Sequence, residues 1–144
     1  TSKLNRILKF FHKIKTNDFL ITYGDGLADV NLKRLFSNYF KDKKQKIYLT
    51  SCRKKSQYGH IKIDHKNFIK TFDEKPILQD PVNIGYYIFN KLIFNKYYNS
   101  KFELESDFLP KLIRSNILKS YLHNGYFFSI DDKKDVLMAK KFFK

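Results

Sequence analysis

Four stretches of this chain carry residues whose types and spacing could do chemistry. In the first, Asp25 stands between Gly24 and Gly26, directly after the apolar run Leu20, Ile21, Thr22, Tyr23. A carboxylate just past the end of a buried strand sits where open α/β sheets bind ligands. It can hold a hard divalent cation and, through it, a phosphate. The flanking glycines let a bulky ligand approach the backbone, although the same pattern also makes an ordinary Asp-Gly turn. The second stretch is Asp73, Glu74, Lys75 and Pro76. Lys75 is a point charge suited to a phosphate and Glu74 an acceptor for sugar hydroxyls, yet such triplets are also common in surface loops. In the third, Asn83 and Gly85 open an aromatic run through Tyr86, Tyr87 and Phe89. That glycine either admits a ligand ring or relieves crowding in a twisted sheet. The fourth stretch runs from Gly125 to Asp131 and Asp132, just before a lysine-rich segment. One aspartate can cap a helix while the other faces a metal, and the local pattern does not say which.

These residues need elements to hold them. Residues 2–15 place Leu4, Ile7, Leu8, Phe11 and Ile14 on one helical stripe, with Ser2 as its cap. Residues 18–23 read as a buried strand, 31–41 as an amphipathic helix and 46–52 as the next strand. That alternation is the signature of a crossover unit in a mostly parallel sheet. Residues 58–64 and 67–72 predict a hairpin turning at His65 and Lys66. A strand over 83–89 and a short helix over 91–97 follow. Residues 106–114 predict a helix capped by Ser106, which puts Pro110 in its first turn. Strands over 117–122 and 126–130 and a helix over 133–143 complete an α/β chain with a mixed, mainly parallel sheet.

Composition bounds the function. At 144 residues and 42% hydrophobic, the chain suits one compact domain or part of a larger one. No apolar run approaches the ~20 residues that span a bilayer, so no membrane partner is expected. A single cysteine, Cys52, excludes an internal disulfide framework and suits a reducing cytoplasm. The formal charge of +15 invites a nucleic-acid partner. Yet only four of the 29 basic residues are Arg, the residue that base and phosphate recognition favours. The lysine excess travels with Asn, Ile, Phe and Tyr, all served by A/T-rich codons, and its densest runs lie at 41–46 and 53–55. A basic nucleic-acid-binding module built on Arg53, Lys54 and Lys55 is the alternative from another class. It demands steeply salt-dependent affinity and gives Asp25, Glu74 and Asp131 nothing to do.

Taken in order, the motifs resemble those of the sugar-1-phosphate nucleotidyltransferases. They are Gly24-Asp25, Tyr58-Gly59 before a hairpin, Glu74-Lys75-Pro76, Asn83-Ile84-Gly85, Glu105, and Asp131 before the last helix. Residues 22–29 reproduce the Thr-Tyr-Gly-Asp-Gly-x-x-Asp of the cytidylyl branch, which acts on glucose 1-phosphate. Ser129 stands where the thymidylyl and guanylyl branches carry an aspartate, and Asp131 follows two residues later. The resemblance implies a Rossmann-like nucleotide-diphospho-sugar transferase fold. It implies transfer of a nucleotidyl group, CMP from CTP, to a hexose 1-phosphate with release of pyrophosphate; guanylyl or thymidylyl transfer to another sugar phosphate is the alternative. It implies Mg²⁺ held by Asp25 and Asp131, Lys75 on the sugar's phosphate, and Glu74, Asn83 and the Gly59 backbone on sugar hydroxyls. Gly24, Tyr58, Gly85 and Glu105 complete the implied pocket, and relatives form homo-oligomers in the cytoplasm.

Departures from the family pattern are specific. Gln57 replaces a basic residue before Tyr-Gly, Ile84 the first glycine of Gly-Gly, Phe127 a tryptophan and Asp132 a threonine. The family's glycine-rich triphosphate loop has no counterpart, Gly24 being the first glycine. Residues 1–144 are therefore expected to be the C-terminal portion of a single catalytic domain, inactive alone.

Overall fold

The computed structural model describes residues 2–42 and 46–142. The middle of the 41–46 lysine run and the final residue of the expected last helix lie outside them. The first helix, α1 (Lys3–Phe10), is capped as expected, Ser2 Oγ accepting from the Asn5 N–H at 3.2 Å. A short 3₁₀ turn leads into β1 (Asp18–Thr22) and then β2 (Gly26–Ala28). Next come α2 (Leu32–Lys41), capped by Asn31, and β3 (Ile47–Cys52). The hairpin is β4 (His60–Ile63) and β5 (Ile69–Asp73), followed by β6 (Val82–Asn90). Then α3 (Lys91–Tyr97), α4 (Leu109–Arg114), β7 (Leu118–His123), β8 (Phe127–Ser129) and α5 (Lys133–Phe142) complete the order.

The main sheet runs β1-β6-β3-β7. Only β3 and β7 are parallel neighbours; β6 is antiparallel to both strands beside it. Three of the four strands therefore point one way while two of the three pairings are antiparallel, so the sheet is mixed, as expected. The crossover from β1 through α2 to β3 is present, but the two strands do not touch. The chain leaves β3 as a ribbon and returns as β6, which takes the place between them.

Alternation along β6 explains its central place. Tyr87 and Phe89 enter the core formed with α1, α3 and α4 around Leu4, Phe94, Phe108 and Leu112. Ile88 points the other way, onto Leu35 and Tyr39 of α2. A strand covered on both faces is apolar throughout, and Tyr87, Ile88 and Phe89 are all fully buried.

Two expectations are corrected, and one strand had not been anticipated. Ser106 caps no helix: its hydroxyl donates to Asp107 at 3.1 Å. The segment instead begins at Leu104 as a wide π-type turn, Leu104–Phe108, that runs straight into α4. Pro110 has no N–H to offer the α-helical ladder, and it falls in the first turn of α4. The hairpin turn spans three residues, closed by Asp64 N–H donating to Phe68 O at 3.0 Å, with Asn67 at φ 65°. Residues after Gly24-Asp25 form a true strand, β2, paired with β8. Among the described residues no helix is long and apolar enough to cross a membrane.

One buried polar knot joins the layers. Asp18 accepts from Tyr39 at 2.6 Å and from Asn90 Nδ2 at 2.8 Å, while Asn90 Oδ1 caps α3 at the Leu92 and Ile93 amides. Burial, with the Asp18 carboxylate beside it, pushes the Tyr39 phenol well above its ordinary range. Asn90→Ala removes the cap and leaves Asp18 short of a donor. We expect it to cost about 2 kcal/mol, read as a lower urea midpoint at unchanged slope.

Candidate functional site

Two loops meet at Asp25. The β2–β8 ribbon pairs Gly26 with Ser129, and just beyond it the Ile130 N–H donates to Asp25 O at 2.8 Å. Asp25 and the residue before Asp131 are thus locked backbone to backbone. The two adjacent aspartates divide their roles cleanly. Asp132 Oδ1 accepts from the Lys134 and Asp135 amides at 2.7 and 3.1 Å, and the Asp135 carboxylate accepts from the Asp131 and Asp132 amides in return. This is a reciprocal capping arrangement at the start of α5. Asp131's carboxylate has no hydrogen-bond partner among the described residues and is exposed, as is Asp25. No cluster of three or more metal-ligating side chains exists among the described residues. Two carboxylates suit Mg²⁺, which keeps several waters and takes phosphate oxygens as further ligands.

A second group gathers beside Gly24. The Tyr23 hydroxyl donates to Glu105 Oε1 and lies 3.2 Å from the Tyr87 hydroxyl; Asn83 Nδ2 donates to Tyr87, and Asn83 Oδ1 accepts from the Gly85 N–H at 2.9 Å. Lys3 forms an ion pair with the same Glu105 oxygen and stands 4.7 Å from the Tyr23 ring centre. Burial opposes ionisation of Glu105, but the bonds from Lys3 and Tyr23 outweigh it and hold the carboxyl below its usual range. Burial and then the Glu105 bond push the Tyr23 phenol up. The space Gly85 leaves is filled by Tyr23, whose ring atom Cδ2 stands 2.6 Å from where a Cβ would sit, and Gly85 has φ +77°. The glycine therefore admits a protein ring.

The remaining expected residues gather at the foot of the hairpin. Glu74 and Lys75 pair at 3.8 Å, both well exposed, with Lys75 at φ 48°. A Cβ on Gly59 would meet Phe72 at 2.6 Å and Glu74 at 3.1 Å, so Gly59 and Glu74 are neighbours. Tyr58 is 75% exposed. No hydrogen bond or ion pair among the described residues joins this foot to Asp25 or Glu105. Three groups result: Gly24, Asp25 and Asp131; Asn83, Gly85 and Glu105; and Tyr58, Gly59, Glu74 and Lys75.

A cleft of about 710 Å³ between α1 and β1 runs to Gly24 and Asp25 and carries Lys3 and Arg6 on its wall. A larger cavity, about 890 Å³, lies away from these groups between α2 and β7, around Arg34, Lys119 and His123. There Asp29 accepts from the Tyr126 amide and lies 2.9 Å from Nε2 of buried His123. Asp29 thus ties the β2–β8 ribbon to the end of β7. Lys3, Tyr23 and Tyr87 escaped the sequence reading, and so did the His123 contact. Tyr23 adjoins Gly24, but its phenol reaches a residue 82 positions away, a pairing no local pattern announces.

Comparison with known proteins gives a consistent set. A family model described as Nucleotidyl transferase matches residues 4–136. A Bacillus subtilis (strain 168) protein named "Probable glucose-1-phosphate cytidylyltransferase" is 34% identical over 98% of this chain and 55% of its own length. The D-glycero-alpha-D-manno-heptose 1-phosphate guanylyltransferase of Aneurinibacillus thermoaerophilus is 29% identical over 94% of this chain and 60% of its own. The crystal structure of HddC from Yersinia pseudotuberculosis superposes with a TM-score of 0.71 at 25% identity, over 99% of this chain and 63% of that one. The chain spans little more than half the length of these relatives.

Two outcomes follow from the second group. Gly85→Ala must move Tyr23 and adopt a strained φ, which we expect to cost about 2 kcal/mol or more, measured by chemical denaturation. Because folding lowers the Glu105 pKa, its contribution is present above the ordinary carboxyl range and lost as pH falls through the folded-state value. Wild type should therefore lose more stability than Glu105→Gln between neutral and acid pH, compared by thermal midpoints across that interval.

Proposed function

Because the chain belongs to the nucleotidyl transferase family, we propose that it supplies the metal- and sugar-phosphate-binding part of a sugar-1-phosphate nucleotidyltransferase. The observation that carries this reading is the backbone bond from Ile130 to Asp25, which sets Asp131 beside Asp25 while Asp132 is held in the cap. Of the two adjacent aspartates, Asp132 spends Oδ1 on the cap, whereas neither oxygen of Asp131 is engaged among the described residues, which supports Asp131 as the metal ligand.

In this reading the sugar phosphate oxygen attacks the α-phosphorus of a nucleoside triphosphate in line, and pyrophosphate leaves. The attacking phosphate is already ionised, so no general base is required. The protein's task is positioning and charge neutralisation. Asp25 and Asp131 would hold Mg²⁺, which neutralises phosphate charge when bound. Lys75 would meet the sugar's phosphate. Glu74, Asn83 and the Gly59 backbone would take its hydroxyls, with Gly24, Tyr58, Gly85 and Glu105 lining the pocket. The exposed Glu74–Lys75 pair is then free to part and take separate substrate groups. No glycine precedes Gly24, so a glycine-rich triphosphate loop would come from sequence outside these 144 residues.

CTP and glucose 1-phosphate are the favoured substrates, supported by residues 22–29 and by the name of the Bacillus relative. Guanylyl transfer is the second reading, favoured by the name of the Aneurinibacillus relative. A cytoplasmic homo-oligomer fits either.

The test is Mg²⁺-dependent pyrophosphate release by the complete protein with each triphosphate and glucose 1-phosphate. Asp25→Asn and Asp131→Asn should each lower kcat by about 100-fold or more, while Asp132→Asn, which keeps a good cap, stays within about twofold. Near-normal rates in Asp25→Asn or Asp131→Asn would remove that residue from the site. The 144 residues alone should release no pyrophosphate.

A further inference from the structure

The side chains between Asn83 and Glu105 form one hydrogen-bond chain whose direction is fixed at both ends. The Gly85 N–H can only donate, so the Asn83 atom that meets it at 2.9 Å is Oδ1. Asn83 Nδ2 therefore faces Tyr87 and donates to its hydroxyl oxygen. At the other end, Glu105 Oε1 accepts from both Lys3 and Tyr23, the partners of an ionised carboxylate. A phenol has one proton. Tyr23 directs its proton to Glu105, so the 3.2 Å contact between the two phenols is Tyr87 donating to Tyr23. Every link runs the same way, from Asn83 through Tyr87 and Tyr23 to Glu105. Links in such a chain polarise and strengthen one another.

The chain leaves two groups over. Asn83 Nδ2 keeps a second hydrogen. Glu105 Oε2 receives no side-chain donor among the described residues, because Lys3 and Tyr23 both meet Oε1; the Glu105 N–H also bonds the carboxylate, whose oxygens each accept more than one donor. Asn83 and Glu105 are both exposed, whereas Tyr87 is fully buried and Tyr23 partly so. One donor and one acceptor therefore face outward from a single ordered unit, a match for a polyol, whose hydroxyls can each accept or donate.

Resting on the sugar-phosphate reading above, we infer that Tyr87 and Tyr23 are positioning residues. They fix the Asn83 amide and the Glu105 carboxylate jointly for different hydroxyls of the hexose. Neither needs to touch the sugar; each acts through its neighbour in the chain. Tyr23 also immediately precedes Gly24 and Asp25, so the same residue joins the sugar side of the site to its metal side.

Tyrosine to phenylalanine isolates this role, because the rings stay packed and only the hydroxyl is lost. In the complete protein, titration with glucose 1-phosphate should show Tyr23→Phe and Tyr87→Phe each binding about tenfold more weakly. KM for the sugar phosphate should rise alike while kcat stays within about twofold. The double variant should also bind about tenfold more weakly, not about a hundredfold, because either change breaks the same chain. Multiplying effects, or singles that bind like wild type, would overturn the inference. If Tyr87→Phe does not fold, Tyr23→Phe alone decides: raised KM at constant kcat supports the chain, and unchanged KM sinks it. Wild type that binds no hexose 1-phosphate would remove the sugar-phosphate reading itself. Wild type that binds, with an unaltered Tyr23→Phe, would remove only this inference.

Discussion

Gly85 has no side chain, and the Tyr23 ring occupies the space where one would stand. That close approach organises much of what surrounds it. The Tyr23 N–H donates to Gly85 O at 3.0 Å, extending the β1–β6 pairing by one more bond past Thr22. With the ring seated, its phenol reaches across to Glu105, and the next residues turn outward as Gly24 and Asp25. A larger residue at 85 would lift the ring and disturb both sides at once. The positive φ of Gly85 belongs to the same constraint, since it aims the backbone amide at Asn83 Oδ1. A single missing methyl thus sets the register of a strand end, a carboxylate's partner and the exit of a loop.

Strand β6 makes this possible because it is buried on both faces and paired on both edges. It anchors Asn83, Gly85 and Tyr87 at one end, and Asn90, the cap of α3, at the other. The surroundings of Asp25 and Asp131 are built differently, from a short two-stranded ribbon and a helix cap. The first draws Asp25 to Ile130; the second occupies Asp132. The hairpin foot follows an exposed ribbon and is tied by backbone, Ser56 N–H donating to Pro76 O at 2.8 Å, while the Glu74 and Lys75 side chains stay exposed and pair with each other. An exposed ion pair is able to rearrange, whereas side chains set by buried hydrogen bonds are ordered beforehand.

Much of this was legible in the sequence where the signal was local. Helical stripes, the Ser2 cap and the strand ending at Gly24-Asp25 follow from spacing alone, and the ordered motifs carried the family. The sheet's order was not legible. Strand–helix–strand alternation says that β1 and β3 run the same way, but the return of β6 between them is a tertiary choice. Ser106 looked like a cap because its neighbours suit a helix start, yet Leu104 is buried in the core and draws the helical turn two residues earlier. Which of Asp131 and Asp132 caps α5 was not legible either, because the choice of Asp132 depends on its reciprocal bonds with Asp135. Gly85 was read as open to a ligand ring or as relief of crowding, and the ring it accommodates is Tyr23. The lysine surplus carried little information about the site: the lysine that meets Glu105 is Lys3, in the first turn of α1, and nothing in the charge pattern singles it out.

The central claim is that metal and hexose phosphate meet on the two sides of Tyr23. A crystal structure of the complete protein soaked with Mn²⁺ and glucose 1-phosphate tests it most directly, because anomalous scattering locates the metal independently of the protein density. The account expects the Mn²⁺ peak between the Asp25 and Asp131 carboxylates and the sugar hydroxyls on Asn83 and Glu105. Metal ligated by Asp132 instead of Asp131, or a sugar seated in the cavity between α2 and β7 beside Arg34 and His123, would contradict it.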